Sequence, residues 1–112
     1  MRIAIPLADG LLCQHFGHCE QFAFFDISAD GRQVLTSTSA TPPEHAPGLL
    51  PRWLRQQGVN AIVAGGMGSR AQALLAEAGV QVITGAPCLP AEELVRHFLD
   101  GSLVTGGNLC DH

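Results

Sequence analysis

Asn60-Ala-Ile-Val-Ala64-Gly65-Gly66-Met67-Gly68-Ser69-Arg-Ala-Gln-Ala-Leu-Leu-Ala-Glu-Ala78-Gly79-Val80-Gln-Val-Ile-Thr84 carries the alternation on which the architecture turns. Residues 60–64 are a short apolar run with the length of a buried strand. The glycine turn 65–68 ends that run and opens a helix over Ser69 to Ala78, which Gly79 stops. Val80 to Thr84 is another short apolar strand.

Toward the C-terminus, Gly85 to Leu89 is a loop containing Cys88. Pro90 then starts a helix, with Glu92 and Glu93 in the first turn where acids suit the dipole. Leu94, Val95, Phe98 and Leu99 form its apolar face, and Gly101 ends it. Toward the N-terminus, Leu49, Leu50, Trp53 and Leu54 share one helical face ahead of Gly58. Pro51 fits that helix only in its first turn, where a missing N–H costs nothing. Residues 40–48 are a proline-rich loop.

Before the loop the period changes to two. Gln21 to Ile27 and Gln33 to Ser39 read as an antiparallel pair around Asp30-Gly31, with Asp26 and Asp30 as turn residues. Arg2 to Leu7 reads as a first strand that Pro6 closes, followed by turn chemistry at Ala8-Asp9-Gly10. Residues 11–19 show neither period and read as a functional loop. An antiparallel meander followed by alternating strands and helices predicts an α/β fold, one mixed sheet flanked by helices. The expected organisation is a single domain over 1–104 and a flexible glycine-rich tail over 105–112.

Composition narrows the function. With 112 residues, 46% hydrophobic and 14% charged, the chain has the material for a core. Its net charge is −4, and its six basic residues are all arginine and scattered. Neither a nucleic-acid partner nor an anionic membrane surface is expected. No apolar run approaches the roughly 18 residues of a membrane span. Met1-Arg2-Ile3-Ala4-Ile5-Pro6 is too soon broken to read as a signal peptide, so a cytoplasmic location is expected. In that reducing compartment, clustered thiols point to metal or redox chemistry rather than disulfides.

Cys13, His15, His18 and Cys19 lie close together around Gly17, and Cys110-Asp111-His112 repeats the Cys-x-His spacing. Thiolates suit copper(I), zinc and iron–sulfur species, and imidazole suits zinc, copper and iron. Cys13, His15, Cys19, Cys110 and His112 are therefore the candidate metal ligands. The bland alternatives are small buried cysteines, solvated loop histidines and a frayed terminus. Gly65-Gly66-Met67-Gly68-Ser69-Arg70 puts a glycine turn at a helix N-terminus, where backbone N–H groups hold anions and Arg70 adds charge. The spacing matches neither a dinucleotide fingerprint nor a phosphate loop, and close helix–strand packing is the competing account. His45 and Cys88 lie in loops near strand ends. If the strands at 2–7, 60–64 and 80–84 run parallel, the loops at 8–19, 65–68 and 85–89 share one edge, and Cys13, Cys19, Gly66 and Cys88 converge there.

Ile3-Ala4-Ile5-Pro6, His15-Phe16-Gly17 before a phenylalanine-rich strand, Gly58-Val59, Ala61-Ile62-Val63, Gly65-Gly66-Met67-Gly68 and Ala78-Gly79-Val80 occur in one order along nearly the whole chain. This set resembles the dinitrogenase iron–molybdenum cofactor-binding family. The resemblance implies a ribonuclease-H-like fold with a five-stranded mixed sheet. It also implies kinship with carriers of nitrogenase cofactor precursors and with small stand-alone proteins of anaerobes, one of which holds a molybdenum–copper sulfide cluster. The loop with His15 and Phe16, the turn 65–68 and the loop near His45 would wall a cluster-binding cleft.

The expectation is a non-enzymatic carrier of a metal–sulfur cluster, of iron–molybdenum or molybdenum–copper sulfide type, serving cluster donor and acceptor proteins. Its candidate cofactor-binding residues are Cys13, His15, Phe16, Gly17, His18, Cys19, His45, Gly65, Gly66, Met67, Gly68, Arg70 and Cys88. The alternatives are a zinc or copper protein using cysteine and histidine ligands, and a thiol-dependent enzyme in which His15 or His18 activates Cys13 or Cys19.

Overall fold

The first strand sits at the centre of the sheet because Ile3, Ala4, Ile5 and Pro6 are all buried. In the computed structural model, which describes residues 1–13, 19–42 and 49–103, that strand is β1 (Arg2–Ala8). It is followed by β2 (Leu11–Leu12), β3 (Gln21–Ile27), β4 (Val34–Ala40), α1 (Leu49–Gln56), β5 (Ala61–Val63), α2 (Ser69–Glu77), β6 (Gln81–Ile83) and α3 (Ala91–Asp100). The sheet order is β4-β3-β1-β5-β6, with β2 pairing β1. β1–β3 and β3–β4 are antiparallel, while β1–β5 and β5–β6 are parallel. The sheet is mixed and flanked by helices, as expected.

Alternation along the strands builds a core on each face. Ile3, Ile5, Phe25, Ala61 and Val63 pack with Ala91, Leu94 and Val95 of α3. Ala4, Phe22, Phe24 and Ile62 pack with Leu54 of α1, Leu75 of α2 and Met67. Trp53 tilts onto Phe22 and Phe24, with ring centroids 5.6 and 5.9 Å away. Gly79 and Gly101 follow α2 and α3 at φ +81° and +78°, a left-handed turn that a side chain would strain.

Several expectations need correction. Pro6 does not close β1, which continues to Ala8. Pro6 lacks only an N–H, and its carbonyl accepts the N–H of Cys13 at 2.9 Å. A sixth, two-residue strand, β2, occupies the start of the segment read as a loop, in register Leu7↔Leu12 and Ala8↔Leu11. β4 runs over 34–40 rather than 33–39, and residues 34–39 are all exposed, so its alternation marks no buried face. β5 and β6 are each one residue shorter at both ends than 60–64 and 80–84.

Asp26 is not a turn residue but a member of β3, opposite Arg2. The Arg2 guanidinium donates to Asp26 from Nε at 2.9 Å and from Nη2 at 3.2 Å, and to the Gln57 carbonyl from Nη1 at 2.8 Å. It also lies 5.8 Å from the Phe24 ring centroid. Thr36 Oγ1 donates to the second Asp26 oxygen at 2.6 Å. Arg2 thus ties the β3–β4 hairpin to the end of α1. Its hydrogen bonds, followed by that of Thr36, lower the Asp26 carboxyl to a pKa of about 2.

A depressed carboxylate stabilises the fold above its unfolded pKa, and that contribution is lost as the pH falls through the folded value. Both side chains are about one-third exposed, at 33% and 34%, which keeps the pair's worth small. Asp26→Ala should cost about 1 kcal/mol at pH 7 and progressively less from pH 4 toward pH 2. Urea unfolding of both proteins across that range checks this; an unchanged difference at pH 2 contradicts it.

Candidate functional site

Because β1, β5 and β6 run parallel, their carboxyl ends open on one edge. Short backbone hydrogen bonds stitch the connecting loops together there. Leu12 donates to the Leu89 carbonyl at 3.0 Å, Gly85 to Gly65 at 2.7 Å and Ala86 to Ala64 at 3.1 Å. Glu20 N–H donates to the Leu7 carbonyl at 2.8 Å. The Cys88 thiol is 3.5 Å from the Leu12 carbonyl, beside Cys13 in the chain. The structure therefore brings the segments bearing Cys13, Cys19, Gly65 and Cys88 to one edge.

The three thiols differ in setting. Cys13 is buried, Cys19 half-buried and Cys88 exposed, and none is in a disulfide. Cys19 packs against the core that holds Met67 and Phe22. Burial, followed by the charge of nearby Cys13, pushes the Cys19 thiol up to about 12. At neutral pH it is protonated and a poor nucleophile, which weakens the expectation of an activated Cys19.

The glycine turn has two parts. Gly65 and Gly66 are buried, and Met67 is wholly so, its side chain filling the core rather than lining an opening. The Met67 carbonyl takes a hydrogen bond from Gln72 Nε2 at 2.9 Å. Gly68 is the N-cap of α2, with extended backbone at φ −62° and ψ 150° and no side-chain cap. The first N–H groups of α2 therefore have no capping side chain, and no acidic residue stands in the first turn. Arg70 is exposed in that turn.

Asp9 and Glu20 stand 11 residues apart, a spacing that implies no pairing in the sequence. The fold joins them. The Asp9 N–H donates to Glu20 Oε1 at 2.8 Å, and Asp9 holds a left-handed φ of +54°. With Leu7, Gly10 and Gln21 they line a hollow of about 360 Å³ at the same edge. Asp9-Gly10 and a glutamate directly after Cys19 were the available signals. A second hollow, of about 620 Å³, lies elsewhere, between α3 and the β3–β4 hairpin. Among the described residues no three His, Cys, Asp or Glu side chains meet as a metal-holding group. His15, Phe16, Gly17, His18, His45, Cys110 and His112 lie outside the described residues.

A family described as dinitrogenase iron-molybdenum cofactor matches residues 1–101. The chain belongs to that family. The family is named for a cofactor rather than for a reaction. An uncharacterised protein of Methanocaldococcus jannaschii, MJ0580, is 26% identical over 106 residues, covering 92% of this chain and 89% of its own. The crystal structure of PH0822 superposes with a TM-score of 0.87 at 29% identity, over 94% of both chains. The apo form of the orange protein from Desulfovibrio gigas shares the fold, with a TM-score of 0.73 at 24% identity over 96% of this chain and 93% of its own. Among the described residues of this family member, no helix is long and apolar enough to cross a membrane.

The thiol settings predict an order of reactivity. Alkylation at pH 8 followed by peptide mapping should label Cys88 on the order of 10-fold faster than Cys19. Equal rates would show that Cys19 is neither buried nor held protonated.

Proposed function

We propose that this chain is a carrier of a metal–sulfur cluster, held at the carboxyl edge of β1, β5 and β6. One observation carries the reading: the loops bearing the thiols meet at the carboxyl edge from which a glycine-capped helix starts, in a member of a family named for an iron–molybdenum cofactor. Such clusters are anions. The N–H groups opening α2 offer partial positive charge without a competing side chain, and Arg70 in the first turn adds a full one. Gly68 lets a bulky inorganic surface approach the backbone; a Cβ built there would meet nothing within 4 Å.

The thiols of Cys13, Cys19 and Cys88 supply weak hydrogen bonds or, once deprotonated, sulfur ligands. The cargo class is iron–molybdenum or molybdenum–copper sulfide, received from one protein and passed to another. Few ligands suit release, because a carrier that closed every coordination position would not let go. Carrying a cluster requires no acid–base pair, and Glu20 is engaged with the backbone of Asp9.

Anaerobic purification followed by metal and sulfide analysis tests the reading. Molybdenum or iron with acid-labile sulfide and a visible charge-transfer band is expected; one colourless zinc per chain would overturn it. Gly68→Asp gives a sharper check. A carboxylate cap fits this extended backbone and should raise stability by a few tenths of a kcal/mol. The same carboxylate would occupy the α2 N–H groups and repel an anion, so retention of tetrathiomolybdate, a molybdenum–sulfur anion, should fall by at least about 10-fold. Undiminished retention in this variant would remove the helix start from the site.

A further inference from the structure

β4 is the outer strand of the sheet, and residues 34–39 are all exposed. Strand geometry fixes which of its backbone groups point outward. The Ile27 N–H donates to the Met1 carbonyl on the β1 side, so the odd residues of β3 bond β1 and the even ones bond β4. Phe22, Phe24 and Asp26 stand opposite Ala40, Thr38 and Thr36. Ser37 and Ser39 therefore turn their N–H and C=O groups away from the sheet. Such an edge is a template for another strand, and proteins commonly guard it with charge or proline. β4, Val-Leu-Thr-Ser-Thr-Ser-Ala, has neither. Leu35 is passed over between the pairs Asp26↔Thr36 and Ile27↔Val34, a bulge that leaves 36–40 regular. Val34 and Leu35 are 39% and 62% exposed, two of the four exposed large hydrophobic side chains among the described residues.

We propose that β4 is a self-association surface, on which a second copy of this chain pairs its own β4 antiparallel about a twofold axis at Thr38. Ser37-Thr38-Ser39 reads the same in both directions, which suits the self-complementary contact that a twofold requires. Each Ser37 then exchanges backbone hydrogen bonds with the Ser39 of the other copy, and the two Thr38 side chains meet at the axis. Charge favours this meeting place. The net charge of −4 opposes association in general, but β4 carries none of it. The hollow between α3 and the hairpin has an apolar floor that includes Phe25 and Leu99, and its rim sets Arg32 and Arg96 against Glu92 and Asp100. That rim is balanced in sign, so a second copy meets no field of its own charge there. The twofold joins the two sheets into one, with both α3 helices on the same face and Val34 and Leu35 at each end of the seam. β3 separates β4 from β1, so the carboxyl edge stays open in each copy and the contact is independent of what that edge carries. A seam this short buries little area, and the dimer dissociates at roughly 10 to 100 μM.

Sedimentation velocity of the full chain, from well below that range to well above it, tests the surface. A monomer that converts to a dimer is expected. Thr38→Lys sets two like charges opposite each other at the axis. Ser37→Pro removes an outward N–H while sparing the ladder to β3. Each should weaken dimerisation by about 10-fold or more. Circular dichroism establishes that each variant is folded. Amide exchange on the unaltered protein gives a second measure that needs no variant. Ser37 and Ser39 should exchange more slowly at high concentration, while Thr36 and Thr38, already bonded to β3, should change little. A monomer at every concentration overturns the proposal and leaves the edge to a strand of another protein. Undiminished dimerisation in the folded variants, or Ser37 and Ser39 amides indifferent to concentration, overturns it as well.

Discussion

A proline inside the central strand governs where the sheet opens. β1 is in register with β5 only at Ile3↔Ala61 and Ala4↔Ile62. Two residues later Pro6 has no N–H with which to extend a ladder. Its carbonyl turns instead to the N–H of Cys13, and β2 takes the place beside β1 that β5 has left. The handover brings Cys13 against the strand end, seats Leu12 on the Leu89 carbonyl and places the Cys88 thiol on the Leu12 carbonyl. The edge thus owes its arrangement to one missing hydrogen on a buried strand.

The two ends of the sheet have divided roles. At the opposite end from the thiols, Arg2 locks Asp26, Gln57 and Phe24 together, and its N–H and carbonyl exchange hydrogen bonds with Asn60 at 2.8 Å each. That end is cross-linked by charged and polar contacts. The carboxyl end is held by backbone bonds between its loops, by the Glu20 carboxylate on the Asp9 N–H and by the Cys88 thiol on the Leu12 carbonyl, with no ion pair among the described residues there. A rigid base under a lightly tethered rim is what a protein needs if it takes up and releases an inorganic cargo without unfolding.

Much of the architecture was legible in the sequence. Residues 60–84 showed strand, turn, helix and strand because length, apolar run and glycine stops all agreed. The convergence of loops followed from parallel strands alone. What stayed hidden depended on contacts distant in sequence. Asp26 looked like a turn residue because its partner, Arg2, is 24 residues away. Two-residue β2 is too short to show a period, and its existence depends on Pro6 and Leu89. Met67 looked like a member of an open glycine turn, yet the helix that follows swings its side chain into the core. Glu20 became visible as an edge residue only when its carboxylate met the Asp9 N–H.

The proposed carrier role places the cargo at the carboxyl edge rather than in the larger hollow between α3 and the β3–β4 hairpin. Amide proton–nitrogen spectra recorded anaerobically, with and without tetrathiomolybdate, address that directly. A cargo at the carboxyl edge shifts Leu12, Cys13, Cys19, Glu20, residues 65–71 and residues 85–89 most. Shifts gathered instead on Phe25, Val34, Val95 and Leu99, with the edge undisturbed, would contradict it.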